Sequence, residues 1–400
     1  MTRVAIRRLA KILNGGTPTP DEANWNGDVP WATPVDLAKV NGRNIERTER
    51  TLTDAGLVSG STLAPRQSVL VSCRAPIGYT AVARVPIAFN QGCKAVVPVD
   101  GQDARFLRYC LVALTETMKA SGSGSTFLEL SSEALASVEI PDATPGEQRR
   151  IADFLDDRVA RIDQIITARS QQISALAQLR LSSMDDIVRG AGPPARLGRH
   201  VALGAVGVVV NPSSYFRDEG VPFVHGNNVR DGFFDLTDLK RMSTEDSNSL
   251  SRSALREHDV LVVRAGYPGR AAVVTAELAG GNCASVLLLR PAPDLDPRWL
   301  SAFFNSPVGK SQVAMTQYGA AQGVINLSDV VAFEIPLPTL DEQQTRVERL
   351  ADLEAAWKSG SKHLAKQMSV LNEYKQSLIT AAVTGELDVT TAGSGIPNPH

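Results

Sequence analysis

The chain carries a second copy of itself, and that limits its folds more than any other feature. Val138-Glu-Ile-Pro-Asp-Ala-Thr-Pro-Gly-Glu-Gln148 and Phe333-Glu-Ile-Pro-Leu-Pro-Thr-Leu-Asp-Glu-Gln343 share Glu-Ile-Pro and Glu-Gln at identical internal spacing. The offset is 195 residues for both pieces, 139 to 334 and 147 to 342. Weaker echoes run upstream with drifting offsets, as loop insertions produce. Ser68-Val-Leu-Val answers Asp259-Val-Leu-Val, Pro30-Trp-Ala-Thr-Pro-Val answers Pro222-Phe-Val-His-Gly-Asn, and Asn90 answers Asn282. The glycine-rich Ser121-Gly-Ser-Gly-Ser-Thr answers Tyr318-Gly-Ala-Ala-Gln-Gly. A period this long exceeds the roughly 20–50 residues of a solenoid repeat, so the copied unit is a whole domain.

Both copies share one grammar. Short β-type runs come first (Val69-Leu-Val-Ser and Ala95-Val-Val-Pro; Val260-Leu-Val-Val and Ser285-Val-Leu-Leu-Leu), punctuated by Gly, Pro and Asn. A short helix is predicted near Ala104–Leu114 and near Pro297–Asn305, followed by a strand that ends at the proline of Glu-Ile-Pro. The texture then changes. Leu155, Val159, Ile162, Ile166, Ile173 and Leu176 recur at helical 3- and 4-residue steps, with Arg169 interrupting. Val347, Leu350, Trp357, Leu364, Met368, Leu371 and Leu378 repeat the pattern until Thr384-Gly385 stops it. Each stripe predicts an amphipathic helix of about 40 residues, roughly 60 Å long.

Two narrow stripes bury most simply on each other, and the intervening domain makes the pair antiparallel. The expected fold is α+β: two similar α/β domains, 1–145 and 195–340, separated by a coiled-coil spacer of two long helices, 146–190 and 341–386. The repeat gives it pseudo-twofold symmetry. Gly190-Ala-Gly-Pro-Pro194 reads as a helix stop and linker, and residues 387–400 as a disordered tail.

Composition narrows the function classes. Forty-one Lys+Arg against forty-three Asp+Glu leave a formal charge of −2, which excludes a histone-like polycation. The four cysteines stand alone with no C-x-x-C pair, so reduced buried thiols are expected rather than disulfides or a zinc site. No apolar run approaches the roughly 20 residues of a membrane helix, and the basic start lacks a signal-peptide apolar core; a cytoplasmic protein is expected.

Catalytic signatures are also missing. Gly309-Lys310-Ser311 resembles the end of a phosphate loop, but that loop needs a glycine at 304, where Phe stands. Asn211-Pro-Ser-Ser-Tyr215 lacks the second proline of an amino-methyltransferase box. The Pro-Asp pairs at 141 and 293 have no nuclease-spaced acid and lysine after them, and no G-x-S-x-G elbow occurs. No catalytic residue, metal site or resident cofactor is predicted.

A duplicated domain on a stiff spacer suits a two-part ligand, and duplex DNA presents successive major-groove faces about one turn apart. Arg74-Ala-Pro-Ile-Gly-Tyr79 and Arg264-Ala-Gly-Tyr-Pro-Gly-Arg270 read as loops carrying arginines that can pair with guanine, and Asn or Gln can pair with adenine. The candidate contacts are therefore Arg74, Tyr79, Asn90, Gln91 and Lys94 in the first copy. The second supplies Asn227, Asn228, Arg230, Arg264, Tyr267 and Arg270. The repeat strings add Thr33 and His225, with Ser125 and Gln322. Arg3, Arg7, Arg8 and Lys11 are candidate phosphate contacts. Near-neutral charge weakens stand-alone DNA affinity, so partners are expected to contribute positive surface.

Taken together, several strings resemble one family, the specificity (S) subunits of type I restriction–modification systems. Gln67-Ser-Val-Leu-Val-Ser-Cys-Arg-Ala-Pro-Ile-Gly-Tyr79, continued by Phe89-Asn-Gln-Gly-Cys-Lys94, is similar to that family's target-recognition domain, as is Pro30-Trp-Ala-Thr-Pro-Val-Asp-Leu37. Ile-Pro-x-Pro-x-x-x-Glu-Gln at Ile335–Gln343, followed by a helix ending Leu378-Ile-Thr-Ala-Ala-Val-Thr-Gly385, resembles its conserved region. The first copy lacks the second proline, and Gly280-Gly-Asn-Cys-Ala284 lacks the Asn-Gln-Gly core.

The resemblance implies a non-catalytic subunit whose two domains each read half of a bipartite DNA target. It implies a helical pair that sets the spacer and docks two methyltransferase (M) subunits. Those subunits would hold S-adenosylmethionine and flip and methylate the target adenine, and restriction (R) subunits would complete a cleaving complex. The expected helix-pair and partner interface is Leu155, Val159, Ile162, Ile166, Ile173 and Leu176 with Leu350, Trp357, Leu364, Leu371 and Leu378. A self-contained methyltransferase or nuclease, and a protein-only coiled-coil scaffold, are the competing classes.

Overall fold

The computed structural model describes residues 2–74, 76–122, 129–208, 215–316 and 323–390. Their contacts divide into two units, residues 1–169 with 366–400 and residues 170–365. The division falls inside both long helices, so each unit combines a sheet-rich half with a segment of each helix.

The first unit begins with β1 (Arg3–Ala5), β2 (Ala10–Asn14), β3 (Trp25–Ala32), α1 (Pro34–Val40), β4 (Arg43–Ile45), β5 (Arg50–Leu52) and α2 (Asp54–Gly60). It continues through β6 (Thr62–Ala64), β7 (Val69–Ser72), β8 (Thr80–Ala83), β9 (Ile87–Phe89) and β10 (Cys93–Pro98). Short helices α3 (Ala104–Ala113), α4 (Thr115–Ala120) and α5 (Ser132–Ser137) lead to β11 (Glu139–Pro141) and the long α6 (Pro145–Arg189).

The second copy follows with β12 (Pro194–Arg196), β13 (Val201–Val206), β14 (Phe216–Arg217), β15 (Val221–His225), β16 (Lys240–Met242) and α7 (Thr244–Ser249). Then come β17 (Val260–Val263), β18 (Ala271–Val273), β19 (Asn282–Ala284), β20 (Val286–Pro291), α8 (Pro297–Asn305), α9 (Pro307–Thr316) and α10 (Leu327–Val330). It closes with β21 (Glu334–Pro336) and the long α11 (Leu340–Thr384).

The duplication is visible in the sheets. Strand order β2-β10-β7-β8 in the first unit recurs as β13-β20-β17-β18 in the second, and β5-β3-β9 recurs as β16-β15-β19. In both copies the β3/β9 and β15/β19 pairs are parallel, so each pair ends at the same edge. The central strands read as unbroken apolar runs because both faces are covered. Val69 and Val71 of β7 enter one cluster and Leu70 the other; Val260 and Val262 of β17 alternate with Leu261 and Val263 in the same way.

The repeated strings turn out to be fasteners. Each Glu-Ile-Pro strand pairs antiparallel with its own half's first strand, Val4 opposite Ile140 and Ala195 opposite Ile335, with both isoleucines fully buried. The following Thr-x-x-Glu is a capping box. The Glu147 carboxylate accepts from the Thr144 backbone N–H at 2.8 Å, and the Glu342 carboxylate from that of Thr339 at 3.0 Å. Gln148 and Gln343 are fully buried clamps. The Gln148 amide accepts from the Asp103 N–H at 3.0 Å and donates to the Ala143 carbonyl at 2.9 Å. Gln343 accepts from the Asp296 N–H at 2.8 Å and donates to the Asp294 and Pro338 carbonyls. Thus the same side chain in each copy ties the start of a long helix to the start of a short one.

The long helices pair antiparallel within each unit. In the first, Lys375 meets Asp163 at 2.7 Å, while Ile379, Ala382 and Val383 share a core with Ile151, Ala152 and Leu155. In the second, Arg180 pairs with Glu354, and the Arg346 guanidinium donates to the Ile187 carbonyl at 3.0 Å. Along the predicted stripe Leu155 and Ile162 are buried, whereas Val159, Ile166, Ile173, Leu176, Leu350, Trp357, Leu364, Leu371 and Leu378 are half-buried.

The expected linker and the first residues of the expected tail are fastened, while 391–400 of that tail lie outside the described residues. Ala191 is buried, the Arg346 guanidinium donates to the Gly190 carbonyl, and Leu337 N–H donates to the Pro193 carbonyl, so 190–194 is anchored to its unit rather than a free linker. Beyond α11, Leu387 and Val389 pack on the first unit's core because their apolar side chains find a surface there, although disorder is expected from residue 387. No helix among the described residues is long and apolar enough to cross a membrane.

Candidate nucleic-acid interface

The shared edge where parallel strands end brings distant loops together. In the first unit the Asn90 N–H donates to the Ala32 carbonyl at 2.9 Å, the Cys73 N–H to Gly92 at 2.8 Å, and the Leu130 N–H to Cys73 at 2.9 Å. Thr33, Arg74, Asn90 and Gln91 therefore lie on one loop cluster at the ends of β3, β7 and β9. In the second unit the Arg264 N–H donates to Ser285 at 3.2 Å, and Ile325 to Arg264 at 3.0 Å. His225 Nε2 lies 3.1 Å from the Ser285 hydroxyl. His225, Arg264 and Ser285 are gathered at the matching edge.

Equivalent backbone bonds correct one match between the copies. Cys73 corresponds to Arg264 and Gly92 to Ser285, so Arg264 sits one residue earlier in its loop than Arg74. Asn282 faces Phe223 in mid-strand, where Ala88 faces Trp31 in the first copy. It is fully buried and bonded to Ser247, so it is not the counterpart of Asn90. The β7–β8 and β17–β18 loops both need glycine near their ends. Gly78 (φ 107°) and Gly269 (φ 85°) hold left-handed backbone, and a Cβ there would strike Thr115 or Val313.

The candidate side chains separate by what they touch. Gln91 is exposed and accepts from the Thr17 hydroxyl. The Asn90 side-chain Oδ1 accepts from the Gly92 N–H at 3.0 Å, fixing its turn. Arg74 is ion-paired with Glu129 at 3.1 Å, and Arg230 with Asp235 at 2.9 Å. Arg270 lies 3.6 Å from Asp231 and 4.0 Å over the ring of the exposed Tyr267, a cation–π stack. The Arg264 guanidinium donates to the Ile325 carbonyl at 3.3 Å. Asn227 is exposed, and its carbonyl accepts from Arg230. Arg7 donates to Ser137, and Arg3, Arg7, Arg8 and Lys11 are exposed.

These ion pairs are solvent-facing and screened by water, so a phosphate or base edge can take the arginine at small cost. They also account for near-neutral charge beside a set of arginines. Asp235 is held ionised, its pKa lowered by hydrogen bonds from the Thr237 hydroxyl and N–H and then by Arg230.

Other candidates are structural. Lys94, expected as a contact, is instead buried in β10 and donates to Asn14 at 2.8 Å, because its strand is covered on both faces. Asn228 is buried and cross-links its loop, accepting from the His225 N–H and donating to the Asp235 carbonyl. The Thr33 hydroxyl is spent on the α1 capping box with Asp36. Tyr79 is half-buried against a core cluster. Ser125 and Gln322 lie outside the described residues. Glu129, Glu354 and Asp231 carry no sequence signal beyond an acid of ordinary surface type.

No group of three or more His, Cys, Asp or Glu among the described residues could hold a metal. Burial pushes the Cys73 and Cys283 thiols up to about 12, and raises Cys93 and Cys110 as well, so none is a thiolate at neutral pH. Gly309 belongs to α9 rather than to a phosphate loop; a Cβ there would collide with the Phe303 carbonyl, and Lys310 pairs with Asp231 at 3.0 Å.

Residues 1–175 match the family of the type I restriction modification DNA specificity domain. The chain is 36% identical over 180 residues to the MjaIX specificity subunit of Methanocaldococcus jannaschii, covering 44% of this chain and 41% of that protein. It is 25% identical over 420 residues to the EcoBI specificity subunit of Escherichia coli, covering 96% of this chain and 86% of that protein. The family match thus covers the first sheet-rich half and the first part of the long helix that follows it. The chain spans about two-fifths of the first of these relatives and most of the second. Two solved chains share its fold. One, from work on complex assembly and conformational transition of the type I R-M system, has a TM-score of 0.76 at 16% identity and covers 96% of this chain and 98% of that one. The other, the HsdS subunit from Thermoanaerobacter tengcongensis, has a TM-score of 0.55 at 17% identity and covers 96% and 97%.

Proposed function

We propose that this chain is a type I specificity subunit, which reads DNA for a restriction–modification complex and performs no catalysis itself. Each sheet-rich half reads one half of a bipartite target through the loop cluster at its parallel-strand edge. The paired long helices set the unspecified spacer and dock two methyltransferase subunits, which carry S-adenosylmethionine and the methylation chemistry. Restriction subunits join where the system cleaves. The observation that supports this reading most is the duplicated unit, with the same sheet order and the same helix-clamping glutamine twice, continuous with two 45-residue helices. A repeat of this kind offers one partner type two equivalent positions.

The test pairs two assays on the full chain. With the cognate methyltransferase subunit, selection from randomised duplexes should return two short fixed elements at a fixed separation. With the chain alone, labelled methyl donor and DNA should give no transfer. Transfer by the chain alone overturns the non-catalytic reading; selection without sequence preference overturns the DNA reading and leaves a scaffold.

A further inference from the structure

The two copies part company at one matched place. Asp103 and Asp296 cap α3 and α8, and Arg105 and Arg298 return to them with the same bonds, which sets the two helices in register. Arg108 then matches Ser301 and Tyr109 matches Ala302. Counting from the clamping glutamines, Asp156 of α6 matches Ala351 of α11.

In the first unit these residues form a plug. Arg108 and Tyr109 are buried, the guanidinium lies 3.8 Å over the tyrosine ring, and it donates to the Gly42 carbonyl. Asp156 completes the plug, 3.4 Å from that guanidinium and accepting the Tyr109 hydroxyl at 2.8 Å.

In the second unit the three side chains shrink to Ser301, Ala302 and Ala351, and all three line an open cavity of about 510 Å³. The carbonyl cradle persists. Gly42 N–H donates to Thr80 at 2.8 Å and Gly232 N–H to Ala271 at 2.9 Å, with φ 79° and 86°. Gly232 lines the cavity, and no heavy atom lies within 4 Å of where its Cβ would be. On the wall, Asp231 already meets Lys310 and Arg270, and Glu354 meets Arg180 and Lys358, while among the described residues Glu257 has only His258, at 3.9 Å; the Arg298 guanidinium there is held by Asp296.

We propose that this cavity receives an arginine side chain of a protein partner docked on the second unit, in the place Arg108 fills in the first. The cradle carbonyl and the Glu257 carboxylate are the acceptors a guanidinium fork requires, and the partner is the methyltransferase subunit of the reading above. One copy is self-plugged and the other open, so two nominally equivalent docking positions differ.

Two experiments on the full chain test this. In ligand-observed NMR, N-acetyl-arginine amide should show saturation transfer and N-acetyl-lysine amide none, and Ser301→Arg with Ala302→Tyr should abolish the arginine signal. Equal transfer from both probes, or persistence in the plugged variant, overturns the proposal. In native mass spectrometry with the methyltransferase subunit, the wild type should hold two copies, and the plugged variant should lose one of them several-fold earlier on dilution, down to the affinity that a plugged unit supports. Identical dilution curves for the wild type and the plugged variant overturn the partner assignment. A wild type that binds none refutes the proposed function instead, and the NMR arm still decides the cavity. Should the double variant not fold, Ala302→Phe is the smaller plug for both measurements.

Discussion

A buried glutamine with every polar atom engaged is costly to replace. Gln148→Leu removes the acceptor for the half-buried Asp103 N–H and the donor for the buried Ala143 carbonyl, leaving both unpaired. At about 1–3 kcal/mol per orphaned group, a loss of at least 1 kcal/mol is expected in urea unfolding, with Gln343→Leu matching it. A midpoint unchanged in both would show that the clamp is idle. At the interface, Arg74→Ala should relax base choice at one position by about 1–3 kcal/mol in duplex-binding competition; a uniform loss across all sequences would make it a phosphate contact. Residue type alone put Arg74, Lys94 and Asn228 in one class. Only burial separates them, since a lysine on a two-sided strand and an asparagine inside a turn have the same letters as exposed ones.

At the scale of elements, the long helices were legible because their stripes keep helical spacing, and α6 and α11 run within about two residues of the expected ends. The capping boxes were printed in the sequence as Thr144-x-x-Glu147 and Thr339-x-x-Glu342, yet registered only as a repeat. Gly360 has no packing need to be glycine: a Cβ there would meet Leu176 at an ordinary 3.5 Å. Gly360→Ala should therefore stabilise the chain by about 0.5–1 kcal/mol in denaturant titration, and a destabilised variant would point to hidden crowding. Inserting seven residues into both helices, after Ala175 and at the facing position of α11, preserves the stripe and adds about 10 Å. The tolerated DNA spacer should lengthen by about three base pairs with both half-sites unchanged; an altered half-site would mean that the helices do not act as a ruler.

For the whole molecule, exchanging residues 1–140 for the corresponding segment of a relative should change one half of the selected sequence and leave the other intact. A change in both halves would mean that the two units read jointly. The sequence by itself determined the duplication and the paired amphipathic helices, because these live in spacing, which survives without coordinates. Tertiary structure alone decided which arginines face which acids, which polar residues are buried, and that Arg108, Tyr109 and Asp156 plug one copy while Ser301, Ala302 and Ala351 leave the other open. Those outcomes depend on residues far apart in the chain meeting in space, and no local pattern encodes such a meeting.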